Sequence, residues 1–95
     1  MHVITRKRIT EFGSLHPDSK GPLSAWYAIV DKTAFKTFAD LRKTFPSADL
    51  VGDKVVFNIG GNKYRLIAAI HFNRGKLYIR NILTHAEYDK EGWKK

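Results

Sequence analysis

In RNILTHAEYDK (residues 80–90) an arginine, a histidine and a tyrosine are packed into one short stretch. Thr84 and Glu87 stand at the spacing of a capping box, so a helix is expected to begin at His85. His85 and Tyr88 then share one face of that helix at i and i+3, and Arg80 lies upstream in what reads as a strand. The first turn of such a helix also offers unpaired backbone N–H groups to an anion. RNA cleavage without a metal needs these parts: a base for the ribose 2′-OH proton, a cation for the crowded phosphorane, and an acid for the departing 5′-oxygen. Histidine changes charge near neutrality and can serve as base or acid. Arginine can bind the dianionic transition state more tightly than the ground state. Tyr88 can stack on a base, hold the 2′-OH, or only plug the corner between strand and helix. His85 can equally be a packing residue.

Other chemistries lack their residues. With no cysteine there is no disulfide framework, thiolate metal site or sulfur nucleophile. No phosphate-binding glycine loop, nucleophile elbow or dinucleotide fingerprint occurs. His2 and His16 form no ligand cluster with a carboxylate at metal spacing, and His71 reads as solvent-exposed beside a turn. Neither a metal nor a cofactor is expected.

The chain of 95 residues is expected to form one domain, 1–95, with one modest core; 43% of it is hydrophobic, too much for a disordered tail. Seventeen Lys and Arg against nine Asp and Glu leave a formal charge of +8, which attracts nucleic acid, an anionic membrane or an acidic protein. The opening MHVITRKRITEF lacks the apolar stretch of a signal peptide, and no apolar run approaches a membrane span, so the chain reads as soluble and cytosolic.

The elements that must position the cluster follow from pattern. HVIT reads as a short edge strand. Ile9, Phe12 and Leu15 mark a first helix stopping before Pro17. Pro22 reads as the first residue of a second helix with Leu23, Trp26, Tyr27 and Val30 on one face. Thr37 and Asp40 resemble a shortened capping box before FADLRKTF, whose Phe38, Leu41 and Phe45 form a stripe that Pro46 ends. From residue 54 the period changes to alternation, with Gly60-Gly61 and Asn73-Arg74-Gly75 as turns. This is a three-strand antiparallel meander over 54–59, 62–72 and 76–83.

Register decides which side chains share a face. A two-residue Gly-Gly turn sets Ile59 opposite Asn62, Phe57 opposite Tyr64 and Val55 opposite Leu66, on one face with Ala68, Ile70 and Phe72. The second turn allows two registers, and slipping by one residue moves every side chain across the sheet. Setting Leu77, Ile79 and Leu83 on the apolar face avoids burying Arg80 there, and is preferred. The other face then carries Lys54, Val56, Asn58, Lys63, Arg65, His71, Tyr78 and Arg80. With the helices on the apolar side, this cationic face is expected to stay open, suited to phosphates and stacked bases.

VFNIGGNKYRLIAAIHF followed by KLYIRNILTHAEYDK resembles the HigB-type toxins of bacterial toxin–antitoxin modules. MHVITRKRI and LRKTFPSADLVGDKVVFNIGG fit as well, so the resemblance spans nearly the full chain. It implies an α+β, RelE-like fold: a small antiparallel sheet of three to four strands, N-terminal helices on one face and a short C-terminal helix. It implies a metal-independent mRNA interferase, often acting on the translating ribosome, and a HigA-type helix-turn-helix antitoxin. Lys63, Arg65, Arg80, His85 and Tyr88 fall at positions expected on a RelE-like catalytic face. The roles read onto them are Arg65 and Arg80 on the scissile phosphate, His85 as acid or base, Tyr88 orienting the ribose or a base, and Lys63 as base or phosphate anchor. Lys54, Asn58, Asn62 and Tyr78 are expected to bind RNA, although Asn62 can also serve only the turn. Two other readings use the same basic face: a non-catalytic RNA- or ribosome-binding module, and an interaction domain for an acidic protein.

Overall fold

A computed structural model describes residues 1–90 and 92–94. Its elements are β1 (His2–Ile4), α1 (Lys7–Leu15), α2 (Lys20–Lys32), α3 (Phe38–Thr44), β2 (Asp49–Val51), β3 (Lys54–Ile59), β4 (Tyr64–His71), β5 (Lys76–Thr84) and α4 (His85–Asp89). The α+β class and the predicted helices are present, but the sheet departs from expectation. Among the described residues it has five strands in the order β1-β5-β4-β3-β2, not three to four, and it is mixed, not antiparallel. β1 adds in parallel to the edge of β5, and β2 pairs antiparallel with β3. β1 is the edge strand read from HVIT, while β2 spans three residues, too few for alternation to register as a pattern.

The helix caps follow their sequence signals. Thr37 Oγ1 accepts the Asp40 N–H at 3.1 Å, while the Asp40 carboxylate takes the N–H of Lys36 and not that of Thr37. α2 begins two residues earlier than expected, at Lys20, leaving Pro22 inside its first turn, where proline is still tolerated. Leu15 closes α1 largely exposed, so only Ile9 and Phe12 of that stripe meet the core. Leu23, Trp26, Val30 and Leu41 pack on Val55, Phe57, Leu66, Leu77 and Ile79 of the sheet, all buried. Trp26 and Phe45 each meet the Phe57 ring edge to face, the geometry that ring quadrupoles favour.

Both hairpins are longer than predicted. Ile59 pairs with Tyr64, so Gly60 to Lys63 all belong to the loop, with Gly60 and Gly61 both at positive φ. The register is therefore displaced by two residues from the predicted one, with Phe57 opposite Leu66 and Val55 opposite Ala68. A shift of two preserves the alternation, so the paired side chains of β3 and β4 stay on their predicted faces. The second loop runs from Phe72 to Gly75, and His71 pairs with Lys76.

In β5 the ladder is interrupted. Ala68 pairs with Ile79 and Ile67 with Asn81, leaving Arg80 as the extra residue of a β-bulge. Beyond it the alternation reverses. Leu77 and Ile79 face the helices as predicted, but Ile82 follows them there and Leu83 does not; Leu83 stands opposite Arg65 on the other face. The bulge lets one strand bury Leu77 and Ile79 and turn Ile82 onto the same core without burying Arg80.

Candidate active site

The capping box expected at the end of β5 is complete. Thr84 Oγ1 accepts from the Glu87 N–H at 3.2 Å and Glu87 Oε1 accepts from the Thr84 N–H at 2.9 Å. The helix therefore starts at His85, whose N–H donates to the Lys63 carbonyl at 3.0 Å, joining α4 to the Gly60–Lys63 loop. The same loop holds Arg65. Arg65 Nη1 donates to the carbonyls of Asn62 at 3.1 Å and Tyr64 at 3.2 Å, and Nη2 lies 3.3 Å from His85 Nδ1. The Tyr88 ring lies over the guanidinium, 5.5 Å away. Trp93 stacks on Tyr88 at 5.1 Å and donates its indole N–H to the Tyr88 carbonyl.

This geometry settles the imidazole tautomer. Arginine only donates, so Nδ1 must accept, and the proton of the neutral ring sits on Nε2. Nε2 faces Asp89 Oδ2 at 3.2 Å. His85 is thus oriented by a carboxylate on one side and presents a lone pair to a fixed guanidinium on the other. Asp89 was not singled out from sequence, though its i+4 spacing from His85 is the signal that finds it.

The face bearing this cluster is less open than predicted. Arg65 points to the expected side but is only 9% exposed, because Tyr88 of α4 lies across it. Val56 and Ile67 on the same face are also buried. Lys63 departs from the cluster: it lies in the loop and its Nζ is 3.3 Å from Asp18 Oδ2. Asp18 Oδ1 also accepts the Tyr64 hydroxyl at 2.6 Å, and this bond foremost, then Lys63, holds the Asp18 carboxyl below its usual range. The same bond to Asp18 raises the Tyr64 phenol. Asn62 contributes its carbonyl, and Asn58 is paired across the ladder with Arg65.

Arg80, Lys54 and Tyr78 are gathered elsewhere on the face. They line a cavity of about 930 Å³ together with Arg8 of α1, Asn81 and Trp93. Lys54 Nζ is 2.7 Å from Asp53 Oδ1, and this bond, with a smaller contribution from Arg80, lowers the Asp53 carboxyl. Trp93 links the two regions, since it borders the cavity and stacks on Tyr88. Sequence reasoning missed Arg8 and Trp93; a single arginine on a helix carries no local signal of what it faces. His71 packs edge to face with Tyr78 at 5.3 Å, at the far end of the hairpin. Among the described residues no three His, Asp or Glu side chains could hold a metal ion together, and no helix is long and apolar enough to cross a membrane.

The fold and this face define a small basic α+β domain with a His–Arg–Tyr cluster at the end of its sheet. Residues 19–91 match the HigB toxin family, described as the RelE-like toxic component of a toxin-antitoxin system. The chain is 38% identical over 92 residues to the mRNA interferase toxin HigB of Escherichia coli K12, covering 94% of this chain and 88% of that protein. The mRNA interferase HigB of Shigella flexneri shows the same identity and coverage. That of Escherichia coli O6:H1 is 32% identical over 93 residues, covering 95% and 90%. The chain belongs to the HigB toxin family.

Proposed function

We propose that this chain, as one toxin domain over residues 1–95, is an mRNA interferase: an endoribonuclease that cuts messenger RNA by internal attack of the ribose 2′-oxygen. The observation that carries the proposal is the Arg65 guanidinium fixed 3.3 Å from His85 Nδ1 with Tyr88 across it. In the reaction the entering phosphate draws Arg65 Nη2 away from His85 Nδ1, the freed Nδ1 takes the 2′-OH proton, the 2′-oxygen bonds to phosphorus, and the bond from phosphorus to the 5′-oxygen breaks. The products are a 2′,3′-cyclic phosphate and a 5′-hydroxyl, the latter protonated by the imidazolium or by water. Arg65 is held by two backbone carbonyls before substrate arrives, so it can meet the charge on the phosphorane with little reorganisation. Tyr88 offers a ring for a base or a hydroxyl for the ribose. Asp89 keeps the Nε2 proton away from the working nitrogen.

Membership of a toxin-antitoxin family implies an antitoxin partner, and the relatives' mRNA interferase names support an RNA substrate. The finer reading is a HigA-type helix-turn-helix antitoxin, action on messages on the translating ribosome, and a cytoplasmic site of work. The formal charge of +8 supports the second of these, since the ribosome is a polyanion.

Expressed without its antitoxin, the wild type is expected to arrest growth and to leave transcripts with new 5′-hydroxyl ends, still formed by the purified protein with chelator present. His85→Gln is expected to lower cutting by roughly 10²–10⁴-fold. Its side chain is about half exposed, so the fold should persist. Transcripts that stay intact while RNA is bound tightly would identify a non-catalytic RNA-binding module instead.

A further inference from the structure

We infer that the cavity bounded by Arg8, Lys54 and Arg80 is a second phosphate subsite, holding a phosphodiester of the RNA chain that flanks the one at Arg65. The inference rests on the proposed RNA-cutting role and extends it to residues that role leaves unused.

Three cations from three elements, α1, β3 and β5, converge on one concavity. The carboxylate there, Asp53, is already paired with Lys54. The group of four keeps a net positive charge and no counter-ion of its own for Arg8 or Arg80 among the described residues. Like charges held together in a cleft repel each other and favour an anion that enters it.

Two backbone features place Arg80 in the cavity, and both are unusual. The first is the bulge, which leaves Arg80 unpaired opposite the step from Ile67 to Ala68. Bulges redirect side chains beside functional sites. The second is Thr5, a β-branched residue in the left-handed region at φ 65°. Such a residue holds that conformation only where its surroundings impose it. Here its Oγ1 accepts the Ile79 N–H at 3.0 Å and lies 3.0 Å from the Ile79 carbonyl oxygen. Thr5 therefore clamps the residue immediately before the bulge, and it lines the same cavity. Thr5 is a positioning residue for Arg80.

The flanking-phosphate assignment follows from continuity. Trp93 borders the cavity and stacks on Tyr88, which lies over Arg65. A single strand running along this face meets Arg65 and His85 at one phosphate and Arg8 and Arg80 at another, with aromatic rings between them for its bases.

The test uses full-length protein and 2′-O-methyl oligoribonucleotides, which have no free 2′-OH to attack, so binding is read apart from cutting. Wild type is expected to bind a hexanucleotide more tightly than a dinucleotide carrying one phosphodiester, and with a steeper dependence of log affinity on log salt. Arg8→Ala and Arg80→Ala are each expected to remove most of that length-dependent gain and to flatten the hexanucleotide salt slope by about 0.7. Thr5→Val should behave like Arg80→Ala, and Thr5→Ser, which keeps the hydroxyl, like wild type. Lys43→Ala, an exposed charge on α3, is the control and should keep the wild-type slope. If Thr5→Val does not fold, the two exposed arginines carry the test alone.

The inference is overturned if Arg8→Ala and Arg80→Ala both match the Lys43→Ala control on the hexanucleotide. In that case transcript cutting by wild type would still uphold the nuclease reading. Flattened slopes without any cutting would instead support the subsite and remove the nuclease. An absence of salt-dependent RNA binding by wild type would remove both and leave the cavity to an acidic protein.

Discussion

Arg65 shows what a buried guanidinium requires. Taking it out of water is tolerable only where its donors are met, and the backbone carbonyls of Asn62 and Tyr64 and an imidazole meet three of them. Those bonds fix its plane, and the fixed plane makes it useful to a phosphate. Asp18 acts on the same loop from behind. Its carboxyl is held low mainly by the Tyr64 hydroxyl, so the pair contributes stability above the ordinary carboxylate value of 3.8 and loses it as pH falls through the lowered folded value. Tyr64 is raised from 10.0, so the contribution is also lost when alkali ionises the phenol. The melting-temperature gap between wild type and Tyr64→Phe should therefore be open at neutral pH and close in acid below about pH 4. A gap of the same size at pH 3 and pH 7 would mean that the hydroxyl acts through something other than the Asp18 carboxylate.

At the scale of elements, α4 is five residues long, too short to persist by propensity, and its capping box sets where it begins. The cap therefore also sets where His85 stands. Thr84→Ala should cost about 0.5–2 kcal/mol locally. The expected readout is faster amide exchange at His85 and Glu87 and a slower cutting rate, with the urea midpoint of the whole domain little moved. An unchanged cutting rate would show that α4 is held by Arg65 and the Lys63 carbonyl without its cap. The bulge in β5 is the other decisive element. Strict alternation beyond residue 79 would have sent either Arg80 or Ile82 to the wrong side, and one extra residue resolves both.

For the molecule as a whole, one core carries the sheet and everything mounted on it. Phe57 is 1% exposed and receives both Trp26 and Phe45 edge-on. Phe57→Ala should cost about 3–5 kcal/mol. Domains of this size have about 5–15 kcal/mol in all. The variant is expected to be partly unfolded at 37 °C by circular dichroism and inactive for that reason alone. Wild-type stability in this variant would mean that the core refills the space, against the close packing of Phe57 by two rings. Helices α1 to α3 pack on one side of the sheet, which leaves part of the +8 charge to the other side.

Periodicity was legible before any coordinates. Alternation from Lys54 onward, the stripes of α1 to α3 and the Thr84–Glu87 box depend on neighbours within a few residues, and such patterns survive a register error of two. The sequence by itself thus determined the α+β class, the helical face of the sheet and the start of the helix that bears His85. Only the tertiary structure decided that Arg65 lies beneath Tyr88, that Lys63 turns to Asp18, and that Arg80 joins Arg8 at a bulge clamped by Thr5. Each of these depends on an interaction between residues far apart in the chain, and local pattern does not encode which distant group a side chain will meet.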